Sequence, residues 1–301
     1  GGLDSFALLL LALQRRERID LVVFADVRDP AGEDPGEWPG TYQHLREVVM
    51  PLCQREGIPF VWLDSTLVPL RPSREYPEGH RSLFAYYQTK GMMFGRISRV
   101  CTMAAKVDRI KTYVRARRPA GAPVEMWVGF EAGEESRAQR DPHAAGQEKS
   151  WVTRFPLIEA GLCRCACEAL VRAAGYPVPR KSACVFCPFA TRGDFQRLAQ
   201  VQPETFAAVV ALEEAARPTR RGIKLRFLGE LPLAQAIEAP YRPRAQPCDV
   251  CGAPVRARKE VGCGYQDDTT SLLTAAVESR ARDRPEHGLE VLRRRTNGSP
   301  M

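Results

Sequence analysis

Apolar residues run without a break from Phe6 to Leu13, so no single helical face is singled out. Such a segment is predicted to be a helix buried on every side. Ile19 to Ala25 (Ile-Asp-Leu-Val-Val-Phe-Ala) then reads as a buried parallel strand ending at Asp26. A loop rich in Gly, Pro, Asp and Glu covers Arg28 to Gly40. Thr41 is placed to cap a helix whose Leu45, Val48, Val49 and Leu52 share a face, with Gly57 as its stop. Phe60 to Leu63 forms the next predicted strand, helices follow near Ser82 to Gln88 and after Thr102, and Met126 to Phe130 is a third strand. This alternation predicts an α/β fold with a mostly parallel sheet flanked by helices. From Trp151 the pattern turns helical, with one helix over Glu159 to Ala174 closed by Gly175 and another over Pro203 to Ala216. Beyond Pro240 the chain is rich in proline and arginine, and after Asp267 it reads as a charged tail. Three regions are therefore expected: 1–150, 151–240 and 241–301.

Composition changes this picture little: 44% hydrophobic and 27% charged residues are ordinary for a globular chain of 301 residues. The run from Phe6 to Leu13 is too short to span a membrane. A formal charge of +8 favours a polyanionic partner such as nucleic acid or a nucleotide. The ten cysteines matter more, because they are grouped. Cys163, Cys165, Cys167, Cys184 and Cys187 form one set and Cys248, Cys251 and Cys263 another, with Cys53 and Cys101 apart. Clustered Cys-x-x-Cys pairs suit metal ligands in a reducing, cytoplasmic setting better than a secreted disulfide framework.

The first five residues carry the first chemistry. Gly1 and Gly2 let the backbone fold closely around an anion, and a helix starting there adds unpaired N–H groups and partial positive charge. Asp4 or Ser5 is positioned to cap that helix, so Gly1, Gly2, Leu3, Asp4 and Ser5 read as a phosphate cradle. No Gly-Lys-Ser/Thr follows, which excludes a Walker loop. A cradle of this kind normally follows a strand, and the chain opens without Met, so a strand is expected to precede Gly1.

Cys184-Val185-Phe186-Cys187 places two thiolates within reach of one metal. Cys167 lies shortly before it, and Cys101 offers a fourth thiolate from a distant segment. Four Cys ligands suit either Zn²⁺ or a [4Fe–4S] cluster. Cys163 and Cys165 read as small buried residues, with alternative ligands or sulfur carriers as the other reading. Cys248-Asp249-Val250-Cys251-Gly252 resembles half a zinc ribbon, for which Cys263 offers a third thiolate. Glu134 with Glu135 is either a carboxylate pair for acid/base or Mg²⁺ chemistry or a solvated loop, and His44 reads as structural or exposed.

Gly-Gly-x-Asp-Ser at residues 1–5 resembles the end of the Ser-Gly-Gly-x-Asp-Ser signature of the PP-loop ATP pyrophosphatases. Phe24-Ala25-Asp26, Trp38-Pro39-Gly40-Thr41-Tyr42, Cys101-Thr102 with Lys106, and Gly129-Phe130 followed by Glu134 and Arg137 are similar to the phosphoadenosine-phosphosulfate (PAPS) reductase-like branch. So are Phe155-Pro156-Leu157-Ile158-Glu159, Cys167, and Lys181 to Phe189, and the likeness extends over roughly residues 1–235. It also resembles the sulfurtransferase subunit of DNA phosphorothioation systems. The resemblance implies a PP-loop sheet and an adenine nucleotide (ATP or PAPS-like) with Mg²⁺, held by Gly1 to Ser5 with Asp26 at the neighbouring strand end. It further implies phosphate contacts or catalysis by Asp4, Lys106 and Arg137, with Arg96 and Arg99 as further candidates. Cys101, Cys167, Cys184 and Cys187 would hold a [4Fe–4S] cluster, with Zn²⁺ the alternative, and a cysteine desulfurase or thioredoxin would be the sulfur or electron partner. The Glu-Cys-Gly-x-His segment of true sulfonucleotide reductases is missing, since Cys263 sits in Val261-Gly262-Cys263-Gly264-Tyr265. Adenylation or sulfur transfer, with nucleic acid as one acceptor, therefore ranks ahead of PAPS reduction. A nucleic-acid-binding accessory protein with a structural zinc is the third reading.

Overall fold

The structure is a computed structural model and describes residues 1–72, 77–91, 100–139, 150–180, 182–219, 221–241 and 246–255. Helix α1 (Leu3–Gln14) leads into strand β1 (Val22–Ala25). Helices α2 (Pro39–His44) and α3 (Met50–Arg55) are joined by a π-helical turn at Leu45–Val49, and β2 (Phe60–Leu63) follows. Then come α4 (Leu83–Lys90), α5 (Val100–Thr102), a second π-helical turn (Met103–Val107), α6 (Asp108–Arg115) and β3 (Val124–Trp127). A 3₁₀ turn (Ala132–Glu134), α7 (Glu135–Ala138), β4 (Trp151–Arg154), α8 (Pro156–Glu159) and α9 (Arg164–Ala173) come next. Helices α10 (Arg192–Val201), α11 (Pro203–Ala215) and α12 (Leu233–Ala236) precede a short hairpin of β5 (Gln246–Pro247) and β6 (Pro254–Val255).

The α/β alternation is present, but the sheet is not one continuous layer among the described residues. β1 pairs in parallel with β2, Val22 opposite Phe60 through Ala25 opposite Leu63, and β3 pairs in parallel with β4, Val124 opposite Trp151 through Trp127 opposite Arg154. β4 is a correction to the expectation that the chain becomes wholly helical at Trp151. Its Trp-Val-Thr-Arg has the β-branched, alternating character of a short strand, and Trp151 is buried while Val152 is exposed. The helix expected over Glu159 to Ala174 is split. Gly161 takes a left-handed φ of +64° between α8 and α9, and Gly175, at +78°, ends α9 as expected. Thr41 lies inside α2 rather than capping it: Trp38 precedes the helix and Pro39 opens it.

Two main cores result. One wraps α1, whose Leu3 and Phe6 to Ala12 are buried, with Phe24, Tyr42, Leu45, Val48, Val49, Leu52, Leu157, Cys167 and Val171. His44 is buried there too, edge-on to Phe6 at 4.7 Å, and burial drives its pKa down to about 3, so it is neutral. The second core gathers α4, α10 and α11 around Phe84, Phe186, Phe195 and Phe227. Contacts cross position 150 freely, since β4 pairs with β3 and α9 packs on α1.

Glu213 on α11 is fully buried and accepts from the amides of Phe227 (2.9 Å) and Leu233 (2.7 Å), beside Arg226. It thereby fastens the irregular segment before α12 to the second core. Glu213→Ala leaves these donors unpaired and is expected to cost about 3–5 kcal/mol, read as a lowered urea midpoint. A change below about 1 kcal/mol would show that the carboxylate is dispensable.

Candidate functional site

The start of α1 is closely approached at three glycines, by backbone at two of them. A side chain at Gly1 would bring a Cβ to 2.8 Å from Thr41 Cγ2, and one at Gly2 would sit 2.9 Å from the Ser182 amide nitrogen. Just beyond β3, a Cβ on Gly129 would lie 2.9 Å from Asp4 C and Ser5 N. Glycine at these positions lets three chain segments meet around the first turn of a helix. Gly2, at the N-cap, has no side chain to cap that turn, and the first intrahelical bond runs from Phe6 N–H to Gly2 C=O at 3.0 Å. The amides of Leu3, Asp4 and Ser5 thus precede the helical ladder, at an end that carries partial positive charge. Leu3 is buried in the core and Ser5 is exposed.

Asp26 stands at the carboxyl end of β1, as expected, but its carboxylate is occupied within the protein. Oδ1 accepts from Tyr42 Oη (2.9 Å) and the Arg28 amide (3.0 Å), and Oδ2 accepts from Trp62 Nε1 (2.9 Å). Arg109 Nη1 donates to the Asp26 carbonyl at 2.6 Å, and burial lowers the Arg109 pKa to about 10. Asp26 therefore positions the loop that follows it. Tyr42 Oη, which donates to Asp26, also accepts from the Glu37 amide at 2.9 Å, and the Arg28 guanidinium lies 4.2 Å over the Tyr42 ring.

That loop delivers Glu37, whose side chain is 1% exposed and forms an ion pair with Lys106. Burial works to lower the Lys106 pKa, but the Glu37 carboxylate and the nearby Cys184 hold it above the ordinary lysine value. Glu37 Oε2 is buried with no hydrogen-bond partner among the described residues. Sequence reasoning missed Glu37; its only signal was its place in the acidic loop before Trp38.

Cys101, Cys184 and Cys187 pack against one core, and Cys184 feels Lys106, Glu37, Cys187 and Cys101 electrostatically. Burial pushes the Cys184 thiol up while Lys106 pulls it down. The backbone brings this segment to the loop. Trp38 N–H donates to Ala183 C=O (3.1 Å), Val185 N–H donates to Gly36 C=O (2.9 Å), and Glu37 bridges Cys184. Cys167 is placed with other neighbours: fully buried on α9 in the α1 core, it senses Asp4, Glu131, Cys163 and Arg164, and burial raises its pKa to about 12. Three of the four expected ligands thus share one environment and the fourth belongs to another. Arg137 pairs with Glu134 at 2.9 Å and stacks over Phe130 at 4.1 Å, so Glu134 is engaged with Arg137 rather than with Glu135. Arg96 and Arg99 lie outside the described residues.

A second cysteine group was not assembled from the sequence. The sulfurs of Cys163, Cys165, Cys248 and Cys251 all lie within 4.8 Å of one another, so the four could hold a metal ion. Cys163 precedes α9 and Cys165 lies in its first turn, while Cys248 and Cys251 flank the turn between β5 and β6. The Cys251 and Val250 amides point at the Cys248 sulfur and lower its pKa to about 7. Burial pushes Cys165 up to about 12, with Cys251 and Cys248 adding to the shift. The Cys-x-Cys at 163–165 was the available signal, but nothing local says that it meets a turn so far along the chain. Cys263 lies outside the described residues. No helix among the described residues is long and apolar enough to cross a membrane.

The Glu37–Lys106 pair gives this site a testable energetic signature. Lys106→Met leaves the Glu37 carboxylate buried without its cation. The expected cost is about 3 kcal/mol, the low end for such a loss because Lys106 keeps 32% of its side chain in solvent. Adding Glu37→Gln removes the stranded charge and should restore most of that stability in chemical denaturation. No recovery in the double variant would show that the pair is not coupled.

No family model, curated protein or solved structure matches this chain.

Proposed function

We propose that the chain is a PAPS reductase-like PP-loop enzyme that binds an adenine nucleotide at the start of α1 and uses it to activate or transfer sulfur to an acceptor. The observation that carries this reading is the first turn of α1, opened by Gly2 and closely approached at Gly1, Gly2 and Gly129, with the Lys106–Glu37 pair and three cysteines close by. First-turn amides and the helix dipole suit a phosphate, and Lys106 adds a cation beside it. The unpartnered Glu37 Oε2 is a hard oxygen donor of the kind that Mg²⁺ accepts while keeping most of its water.

The thiols of Cys101, Cys184 and Cys187 suit a soft metal or an iron–sulfur cluster as three ligands, and Cys167 does not stand with them. A cluster at that place would supply electrons or sulfur. The chain's own part is to hold the anion on α1, keep Glu37 and Lys106 paired beside it, and orient the segment carrying Cys184 through the Trp38–Ala183 and Gly36–Val185 backbone bonds. Asp26 acts here through the loop that it fixes, and Arg137 stands over Phe130 just beyond β3.

The second cysteine group and the charge of +8 favour a further reading, a nucleic-acid-binding accessory protein with a structural metal. Equilibrium binding of ATP to the folded full chain separates the two. The enzyme reading expects saturable ATP binding that weakens at least tenfold, about 1.4 kcal/mol, in the Glu37→Gln/Lys106→Met double variant. Salt-sensitive DNA or RNA binding with no affinity for ATP or adenylyl sulfate would overturn it.

A further inference from the structure

We propose that Cys163, Cys165, Cys248 and Cys251 bind one Zn²⁺ as a tetrathiolate, stapling the hairpin at 246–255 to the start of α9. This site is separate from the nucleotide reading and does not depend on it. Its first support is distance. A tetrahedral zinc with Zn–S bonds of about 2.3 Å holds its sulfurs about 3.8 Å apart. The four sulfurs here already lie within 4.8 Å of one another, so rotamer adjustments of a few tenths of an ångström suffice for closure. A multi-iron cluster would keep its cysteines further apart, because irons and sulfides stand between them. The spacing therefore suits a single ion, and four sulfurs around one ion suit zinc.

The backbone on both sides is shaped for the same purpose. Cys248 N–H donates to Ala253 C=O at 2.7 Å, and Gly252 N–H donates to Cys248 C=O at 2.8 Å. Gly252 supplies the left-handed φ of +72° that this tight turn needs. The turn presents Cys248 and Cys251 side by side, with amides directed at the Cys248 sulfur. Across from it, Cys163 and Cys165 sit at the N-terminus of the ten-residue α9. Four thiolates on Zn²⁺ carry a net charge of −2, and the positive end of a helix dipole is a favourable place for it.

The hairpin is small. Its strands are two residues each, far below the size at which a hairpin is stable alone. Cys248 is 2% exposed, and the buried cluster that covers it consists of Cys163, with Cys165 and Ala166 packed against it. Among the described residues this cluster of cysteines joins the hairpin to α9, so a metal bond at this point would tie the two segments directly. On the other side, the Arg164 amide donates to Glu131 at 3.2 Å, so the stapled end of α9 is already fixed to the loop after β3.

The test is metal stoichiometry of the anaerobically purified full chain by native mass spectrometry and elemental analysis. One zinc bound at Cys163, Cys165, Cys248 and Cys251 should fall to none in Cys248→Ser/Cys251→Ser, with the far-ultraviolet circular dichroism of the body unchanged. Replacing zinc with Co²⁺ should give the thiolate-to-cobalt charge transfer and intense red absorption of a tetrahedral tetrathiolate, both lost in the same variant. Cys163→Ser checks the other half of the site by the same cobalt spectrum. Iron in place of zinc, two disulfides among the four cysteines, four freely titrating thiols, or zinc retained by Cys248→Ser/Cys251→Ser would each overturn the assignment.

Discussion

The structure depends on burying α1, a helix that is apolar almost all round beyond its first turn. From Leu3 to Ala12 nearly every side chain of α1 is buried, so it must be covered all round. β1 and the helical segment at 39–55 cover one side, and α8 and α9 the other. Its amino end then meets backbone at Gly2 and Gly129 and the Thr41 side chain at Gly1, and glycine at these positions lets them approach. Hydrophobic packing along the helix thus sets where its dipole and first amides point. The electrostatic property of the site follows from the apolar one.

The loop from Asp26 to Trp38 shows how buried charge is kept in one arrangement. Asp26 accepts three hydrogen bonds. Asp34 takes a two-point contact from Arg81 (2.7 and 2.8 Å) together with the Ser82 hydroxyl at 2.5 Å. Asp29 accepts from the amides of Glu33 and Asp34. Each carboxylate would be costly to bury unpaired, so the pairing selects one loop conformation. Glu37 is the member with an oxygen left over, and it lies beside Lys106. That contrast within one loop distinguishes a positioning carboxylate from one with capacity for a ligand.

Much of the first half was legible because its signals are local. The apolar run of α1, the strands at β1 and β2, the helix near Ser82 to Gln88, and the stops at Gly57 and Gly175 all follow from short-range pattern and are present. The misses have two physical sources. β4 is four residues long with one buried side chain at its start, too little for a period to declare itself, and Gly161 breaks a stretch whose composition otherwise favours one helix. The other misses are long-range. Neither the saturation of Asp26 by Tyr42 and Trp62 nor the meeting of Cys163 and Cys165 with Cys248 and Cys251 is encoded in spacing along the chain. Residue type marked the cysteines as candidate ligands, and only the fold brings Cys163, Cys165, Cys248 and Cys251 together.

The central claim is that the first-turn amides of α1 are an anion site. Backbone amide chemical shifts of Leu3, Asp4 and Ser5 during titration with ATP test it most directly. Saturable shifts are expected at these three residues and at Gly129, with the hairpin at 246–255 unmoved. Shifts confined to surface arginines, with α1 unchanged, would contradict it.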